Sequence, residues 1–172
     1  MRALKITSMI VGASIAVLVI VFIVYYLIYS QEVIEPFEAN SPDLETKVLV
    51  GSQGSDFKNA FLEKLTERIG KKDIYAKIID VTTLSAIKED SWDAIILINS
   101  IQWYKLQKDV RVFLNSAQAT DRIIMLATSG DGDMKPKECK IDTITSASRL
   151  NGVDDKLELI LSKLEPILGM EF

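Results

Sequence analysis

The chain opens on one long apolar run and then alternates short apolar runs with amphipathic ones. Residues 6–31 carry no charge, and residues 9–28 are almost entirely Val, Ile, Leu, Ala and aromatic. Roughly 20 apolar residues cross a bilayer core as a helix, so residues 7–30 read as a transmembrane segment behind a short N-terminus, residues 1–6. Residues 31–45 carry Pro36, Pro42 and no apolar period, which predicts an extended acidic spacer. Residues 46–172 then form a soluble domain of ordinary size.

Within that domain, apolar runs at 47–52, 74–80, 92–100, 122–128 and 141–145 predict five strands. The centre of the third, Ala94-Ile95-Ile96-Leu97-Ile98, is apolar without alternation, as in a strand covered on both faces. Phe57, Phe61, Leu65 and Ile69 share one helical stripe and predict a helix over 56–69, capped by Ser55 or Asp56 and ended by Gly70. Leu106, Val110, Phe113 and Leu114 predict a second helix over 106–117. Val153, Leu157, Ile160, Leu161, Leu164 and Leu168 predict a third over 153–168. Residues 83–90 read as a short helix or irregular piece, and 129–136 as a polar loop. Strands alternating with helices imply an α/β fold, a doubly wound parallel sheet with right-handed crossovers placing helices on both faces.

Charge gives the apolar segment a direction. Arg2 and Lys5 precede it, whereas Glu32, Glu35, Glu38, Asp43 and Glu45 follow it without a base before residue 46. The positive-inside rule then predicts a single-pass cell-membrane protein with a cytoplasmic N-terminus and an extracytoplasmic domain. A cleaved signal peptide is the rival reading, but it would end in small residues. Here the run ends in Tyr25-Tyr26-Leu27-Ile28-Tyr29, an aromatic belt that suits an uncleaved signal anchor. Ser8, Gly12 and Ala16 recur at a spacing that lets helices approach closely, a pattern also common by chance in membrane helices.

Composition narrows the chemistry. The chain has one cysteine, Cys139, and no histidine. That excludes an intrachain disulfide, histidine-based metal sites, a Ser-His-Asp triad and a Cys-His dyad. A net charge of -4 gives no reason to expect nucleic acid. No nucleophile–base pair is recognisable, so no catalytic residue is assigned.

The runs Lys47-Val48-Leu49-Val50-Gly51-Ser52, Trp92-Asp93-Ala94-Ile95-Ile96-Leu97 and Arg122-Ile123-Ile124-Met125-Leu126-Ala127-Thr128-Ser129-Gly130 resemble, in order and spacing, those of flavodoxin-like proteins. The stretch from Ile141 to Arg149 is similar to one after the fourth strand in some small bacterial members, including membrane-anchored ones. The resemblance covers about residues 47–168 and implies the strand order 2-1-3-4-5. It also implies FMN, with its phosphate held by a Ser/Thr-x-Thr-Gly-x-Thr loop at a helix N-terminus. The matching positions are Ser52, Gln53, Gly54, Ser55, Asp56 and Phe57. Ser52 keeps a hydroxyl, but Gly54 and Ser55 exchange the hydroxyl and glycine positions, Asp56 adds a carboxylate and Phe57 replaces the last hydroxyl. A carboxylate beside a phosphate in a partly desolvated loop costs on the order of several kcal/mol. The flavin ring would fall between the loops holding Trp103 and Tyr104 and holding Ser129 and Gly130.

Two functions follow. One is a membrane-tethered, non-catalytic binding or interaction module that has lost FMN and meets lipid through residues 7–30 and a protein partner through its domain. The other is an FMN-dependent electron-transfer protein at the membrane surface, with Ser52, Gln53, Gly54, Ser55, Trp103, Tyr104, Ser129 and Gly130 holding the cofactor. Arg149, beside Ser146 and Ser148, is an anion candidate or a surface ion-pair partner. Asp131-Gly132-Asp133 is a polar turn or an incomplete cation loop, and no metal is expected. Cys139 lies near Lys135, Lys137 and Lys140, which would raise thiol reactivity, although nothing beside it supports thiol catalysis.

Overall fold

The computed structural model describes residues 2–29, 32–137, 139 and 141–172, and the chain divides into Met1–Gln31 and Glu32–Phe172. The first unit is one helix, α1 (Arg2–Tyr29). Its stretch Lys5–Tyr25 is long and apolar enough to cross a membrane. Apolar side chains such as Met9, Leu18 and Phe22 are exposed along it, a surface that water would not tolerate on a stable isolated helix. The side chains of Ser8 and of the expected aromatic belt beyond Tyr25 lie outside the described residues.

The second unit is built on β1 (Phe37–Ala39), β2 (Thr46–Ser52), β3 (Ile74–Asp80), β4 (Ala94–Ser100), β5 (Ile123–Ser129) and β6 (Thr143–Ala147), with helices α2 (Asp56–Ile69), α3 (Lys108–Ser116) and α4 (Val153–Leu168). The sheet order is β1-β3-β2-β4-β5-β6. The last five strands are mutually parallel and run in the expected order 2-1-3-4-5 when counted from β2. Strand alternation sorts the core into two layers. Val48, Val50, Ile96 and Ile124 face α2 and α4, against Phe57, Phe61, Leu65, Leu157 and Leu161. Leu49, Ile95, Leu97 and Met125 face the other side, where Val110 and Phe113 of α3 and Leu84 of the 3-10 turn Val81–Ala86 cover them. Both faces are thus buried, which is why these strands carry unbroken apolar runs.

The sheet has six strands where five were expected. β1 pairs antiparallel with β3, Glu38 opposite Lys77, inside the stretch expected to be a spacer. The reason is side-chain chemistry that leaves no periodic trace. Asn40, with φ 63°, donates from Nδ2 to the carbonyls of Ile69 at 3.3 Å, Lys72 at 2.9 Å and Ile74 at 2.8 Å. One asparagine therefore ties β1 to the end of α2 and the start of β3. Glu38 meets Lys77 at 3.4 Å, and Ile34 N–H donates to the Asp80 carboxylate at 3.0 Å. The last strand begins at Thr143, two residues later than expected, because the Thr143 hydroxyl turns back to the Ile141 carbonyl at 3.0 Å.

Asn40→Ala is expected to destabilise the full chain in detergent by about 2–3 kcal/mol, from the lost carbonyl bonds and from a Cβ residue without a polar group at positive φ. Asn40→Gly, which keeps the backbone relaxed, should lose less. Chemical denaturation of the domain signal measures both; a spacer residue would show no change.

Candidate functional site

In a parallel sheet the strands end together, and the polar residues of this domain collect at those ends. Ser52, Asp80, Asn99, Thr128, Ser129 and Ser146 are the buried polar groups of the strands, and each lies at or beside the C-terminal end of its strand. This edge is where an open α/β fold receives a ligand.

The first loop at that edge is engaged by the chain itself. Ser52 is fully buried, and its hydroxyl donates to the Gln53 carbonyl at 2.9 Å. Gln53 N–H donates to the Ile98 carbonyl at 3.2 Å, while its side-chain oxygen accepts the Ser100 N–H at 2.8 Å. Gly54 N–H donates to the Glu32 carbonyl at 2.6 Å, and Glu32 N–H returns to Gly54 at 3.3 Å. A Cβ at Gly54 would lie 2.7 Å from Glu32 Cβ, so glycine is required by the strap that crosses it. Ser55 caps α2, its hydroxyl accepting the Lys58 N–H at 3.4 Å. Phe57 is buried and stacks on Phe61 at 6.4 Å, a packing role. Asp56 is exposed at the first turn of α2, so solvent screens its charge more than a partly desolvated loop would. The Gln53 and Gly54 N–H groups, which a phosphate would use, already have backbone partners in Ile98 and Glu32.

Beneath the loop lies a residue the sequence reading missed. Lys58 is fully buried, and its ammonium donates to the Ser100 hydroxyl at 2.7 Å; Ser100 Oγ also lies 3.2 Å from Thr128 Oγ1. Burial lowers the Lys58 pKa to about 8. The signal was available: positions 58, 61 or 62 and 65 form an inward stripe, and lysine is its one charged member. Nearby, Asn99 Oδ1 is buried without a hydrogen-bond partner among the described residues, while its amide donates to the Ser100 carbonyl at 3.2 Å.

The second loop leaves β4 as a tight antiparallel turn, Gln102 and Lys105 bonding reciprocally at 3.2 and 2.9 Å. Its two central residues, Trp103 and Tyr104, have φ 53° and 62°. Such a turn favours Asn-Gly; two aromatic residues there store about 1–2 kcal/mol each. Trp103 is 84% exposed. Tyr104 N–H donates to Met134 Sδ at 3.4 Å, its carbonyl accepts from Lys137 N–H at 3.3 Å, and Lys137 Nζ lies 5.0 Å over its ring. Trp103, Tyr104, Lys105, Leu106, Arg111, Pro136 and Lys137 line a groove of about 300 Å³.

The third loop closes on itself. Ser129 donates to Asp131 at 2.7 Å and accepts from Gly132 N–H at 3.0 Å. The Ser129 hydroxyl lowers the Asp131 pKa, with further help from backbone N–H groups. Asp131-Gly132-Asp133 is therefore a polar turn, and no cluster of three metal-ligating side chains occurs among the described residues. Gly130 and Arg149 are exposed; Arg149 follows β6, with its backbone N–H on the Ala147 carbonyl at 2.8 Å. Cys139 is partly buried, and Lys140 lies outside the described residues. The structure thus joins Gln53, Ser100, Thr128 and Lys58 in one network and ties the Trp103 turn to residues 134–137.

No family model matches the chain, and no curated protein matches its sequence. Among solved structures, a flavodoxin from the domain Archaea aligns with a TM-score of 0.50 at 14% identity, over 71% of this chain and 99% of that one. A flavoenzyme NAD(P)H:(acceptor) oxidoreductase from Paracoccus denitrificans aligns at 0.43 and 9% identity, over 74% and 100% of the two chains. An oxidoreductase from Corynebacterium diphtheriae aligns at 0.34 and 13%, over 71% and 76%. The first of these likenesses is one of fold: the domain is flavodoxin-like.

Lys58 makes a pH signature. Between about pH 8 and the ordinary lysine value of 10.5 the unfolded chain holds a proton that the folded chain has released, so stability rises with pH. The rise is at most about 3 kcal/mol. Tyr75, pushed up to about 12 by burial and by its hydrogen bond to Glu38, opposes it above pH 10. Denaturation of the full chain in detergent should show the rise between pH 8 and 10, and Lys58→Met should abolish it.

Proposed function

We propose that this chain is a membrane-tethered flavodoxin-like domain acting as a non-catalytic binding or interaction module, and that its first loop has lost FMN binding. The observation that carries this reading is the pairing of Gly54 with Glu32. A flavin phosphate at that place would have to displace backbone bonds and a strap segment packed against the glycine. Further support comes from Gln53, whose side chain bonds to Ser100, and from Phe57, which serves the core. The exposed Trp103 favours the second reading, FMN-dependent electron transfer, because a flat aromatic after β4 is suited to stack on a flavin ring.

The two readings separate in one titration. The full chain in detergent, mixed with FMN up to high micromolar concentration, is expected to leave flavin fluorescence and the visible spectrum unchanged. A stoichiometric, quenched yellow complex would overturn the proposal and establish the second reading.

The proposed topology has a cytoplasmic N-terminus and a domain on the other side of the membrane. It is supported by Arg2 and Lys5 before the apolar run and by the five carboxylates between it and β2. A reporter fused after Phe172 is expected to be active only outside the cytoplasm; activity inside would reverse the orientation.

A further inference from the structure

We infer that the Trp103–Tyr104 turn, with the basic side chains around it, is a docking patch for an anionic lipid surface. The inference rests on the membrane-tethered reading above and supplies its domain with a partner. Three observations carry it. First, the turn holds two large aromatic residues in left-handed conformations and exposes them, Trp103 at 84% and Tyr104 at 50%. Neither joins the core clusters, and the Tyr104 contacts tie the turn to residues 134–137 without covering Trp103. Trp and Tyr, apolar in body and polar at one end, are the side chains that settle at headgroup level.

Second, the surroundings are cationic. Lys105, Arg111, Lys135 and Lys137 are exposed, Lys105 and Arg111 beside the turn in its groove and Lys135 and Lys137 on the segment bonded to it. The acidic groups of the neighbouring elements are partly engaged: Asp131 accepts from the Ser129 hydroxyl, and Asp109 accepts from the Gln107 amide at 2.7 Å. Asp133 is exposed on the same loop as Asp131. Four exposed basic side chains against exposed Asp131 and Asp133 leave the turn net basic within a chain of net charge -4, and such a cluster is drawn to anionic headgroups in the leaflet that faces the domain.

Third, the chain enters the domain at this edge. Glu32 pairs with Gly54 just beyond the C-terminal end of β2, and the Trp103 turn follows the C-terminal end of the adjacent strand, β4. Only Ser30 and Gln31 stand in sequence between the last residue of α1 and Glu32. In the membrane-tethered reading, the chain that leaves the lipid therefore joins the domain at the edge that carries the turn.

The test uses the full chain carrying Trp92→Phe, which leaves Trp103 as the one remaining tryptophan. It is reconstituted in nanodiscs of phosphatidylcholine alone and with one third phosphatidylglycerol, each with and without brominated acyl chains. In charged discs Trp103 emission should shift to the blue and be quenched by the brominated lipid; neutral discs should show little of either. Salt at 0.5 M should release it. Lys105→Glu with Lys137→Glu should lower the docking equilibrium on the order of 30-fold or more, at about fivefold for each basic charge lost. Unquenched Trp103 in charged discs overturns the inference and leaves the turn to a protein partner. Equal quenching in neutral discs, or quenching indifferent to salt, overturns its charge-based part. Carbonate extraction of reconstituted vesicles reports separately on the tether. Chain that stays in lipid with Trp103 unquenched fails the patch alone, whereas extracted chain fails the tethered reading itself.

Discussion

The central strand β2 is hydrogen-bonded in parallel to β3 on one side and β4 on the other, and the domain is arranged around that double pairing. Parallel ladders require both faces of the sheet to be covered, because helical crossovers return over each face in turn. Val48 and Val50 face one layer and Leu49 the other. Gly51 sits where a Cβ would lie 3.2 Å from Leu97 and 3.3 Å from Leu84, so the layer above β2 closes directly on the backbone. A strand buried on both sides has nowhere to place polar groups except its ends. The collection of Ser52, Asp80, Asn99, Thr128, Ser129 and Ser146 at one edge is therefore a consequence of the ladder before it is a sign of any ligand.

What occupies that edge is mainly the chain itself. Asp80 accepts from Thr82 N–H, Thr82 Oγ1 and Ile34 N–H, which anchors the segment leading into β1. Gln53 bridges β2 to β4, and Lys58 reaches under the loop to Ser100. A buried ammonium is a poor source of net stability, since desolvation opposes the hydrogen bonds it makes. Its lowered pKa reports that tension. An internal cation at the N-terminal turn of α2 also adds positive charge to the end of a helix that already carries a partial positive charge. Asp56, two residues earlier and exposed, offsets part of it.

The parts of this fold that were legible in sequence are those whose burial repeats. Four of the five parallel strands announce themselves as apolar runs, and β6, Thr143–Ala147, is the polar exception. α4 matches its predicted bounds because Val153, Leu157, Ile160, Leu161 and Leu164 all face inward. The parts that were not legible are held by single polar contacts. β1 is three residues long between two prolines, and its attachment lies in Asn40, Glu38 and Lys77. The first loop could be placed by its position after β2, and Phe57 was correctly read as core. The Glu32 strap over Gly54 could not be foreseen, because a backbone-to-backbone bridge leaves no residue signature. The Trp103–Tyr104 turn was recognised as aromatic but not as a turn, since it lacks the Asn and Gly that normally mark one.

These contacts divide the ligand edge of the sheet into two unlike halves. Over β2 and β3, the segment from Glu32 to Asn40 adds backbone pairing, an edge strand and a cap on α2, so that half is closed by the chain that enters the domain. Over β4 and β5, by contrast, the turn at 102–105 and the segment at 134–137 brace each other and hold aromatic and basic side chains outward. Bracing two loops against each other holds the exposed Trp103 on a fixed backbone. A rigid aromatic loses little conformational freedom when it is covered, so its strain is met in folding and leaves less to lose on contact. A ligand spread over both halves would meet the Glu32 strap at Gly54, whereas a contact confined to the second half would meet only the turn at 102–105 and the segment braced against it.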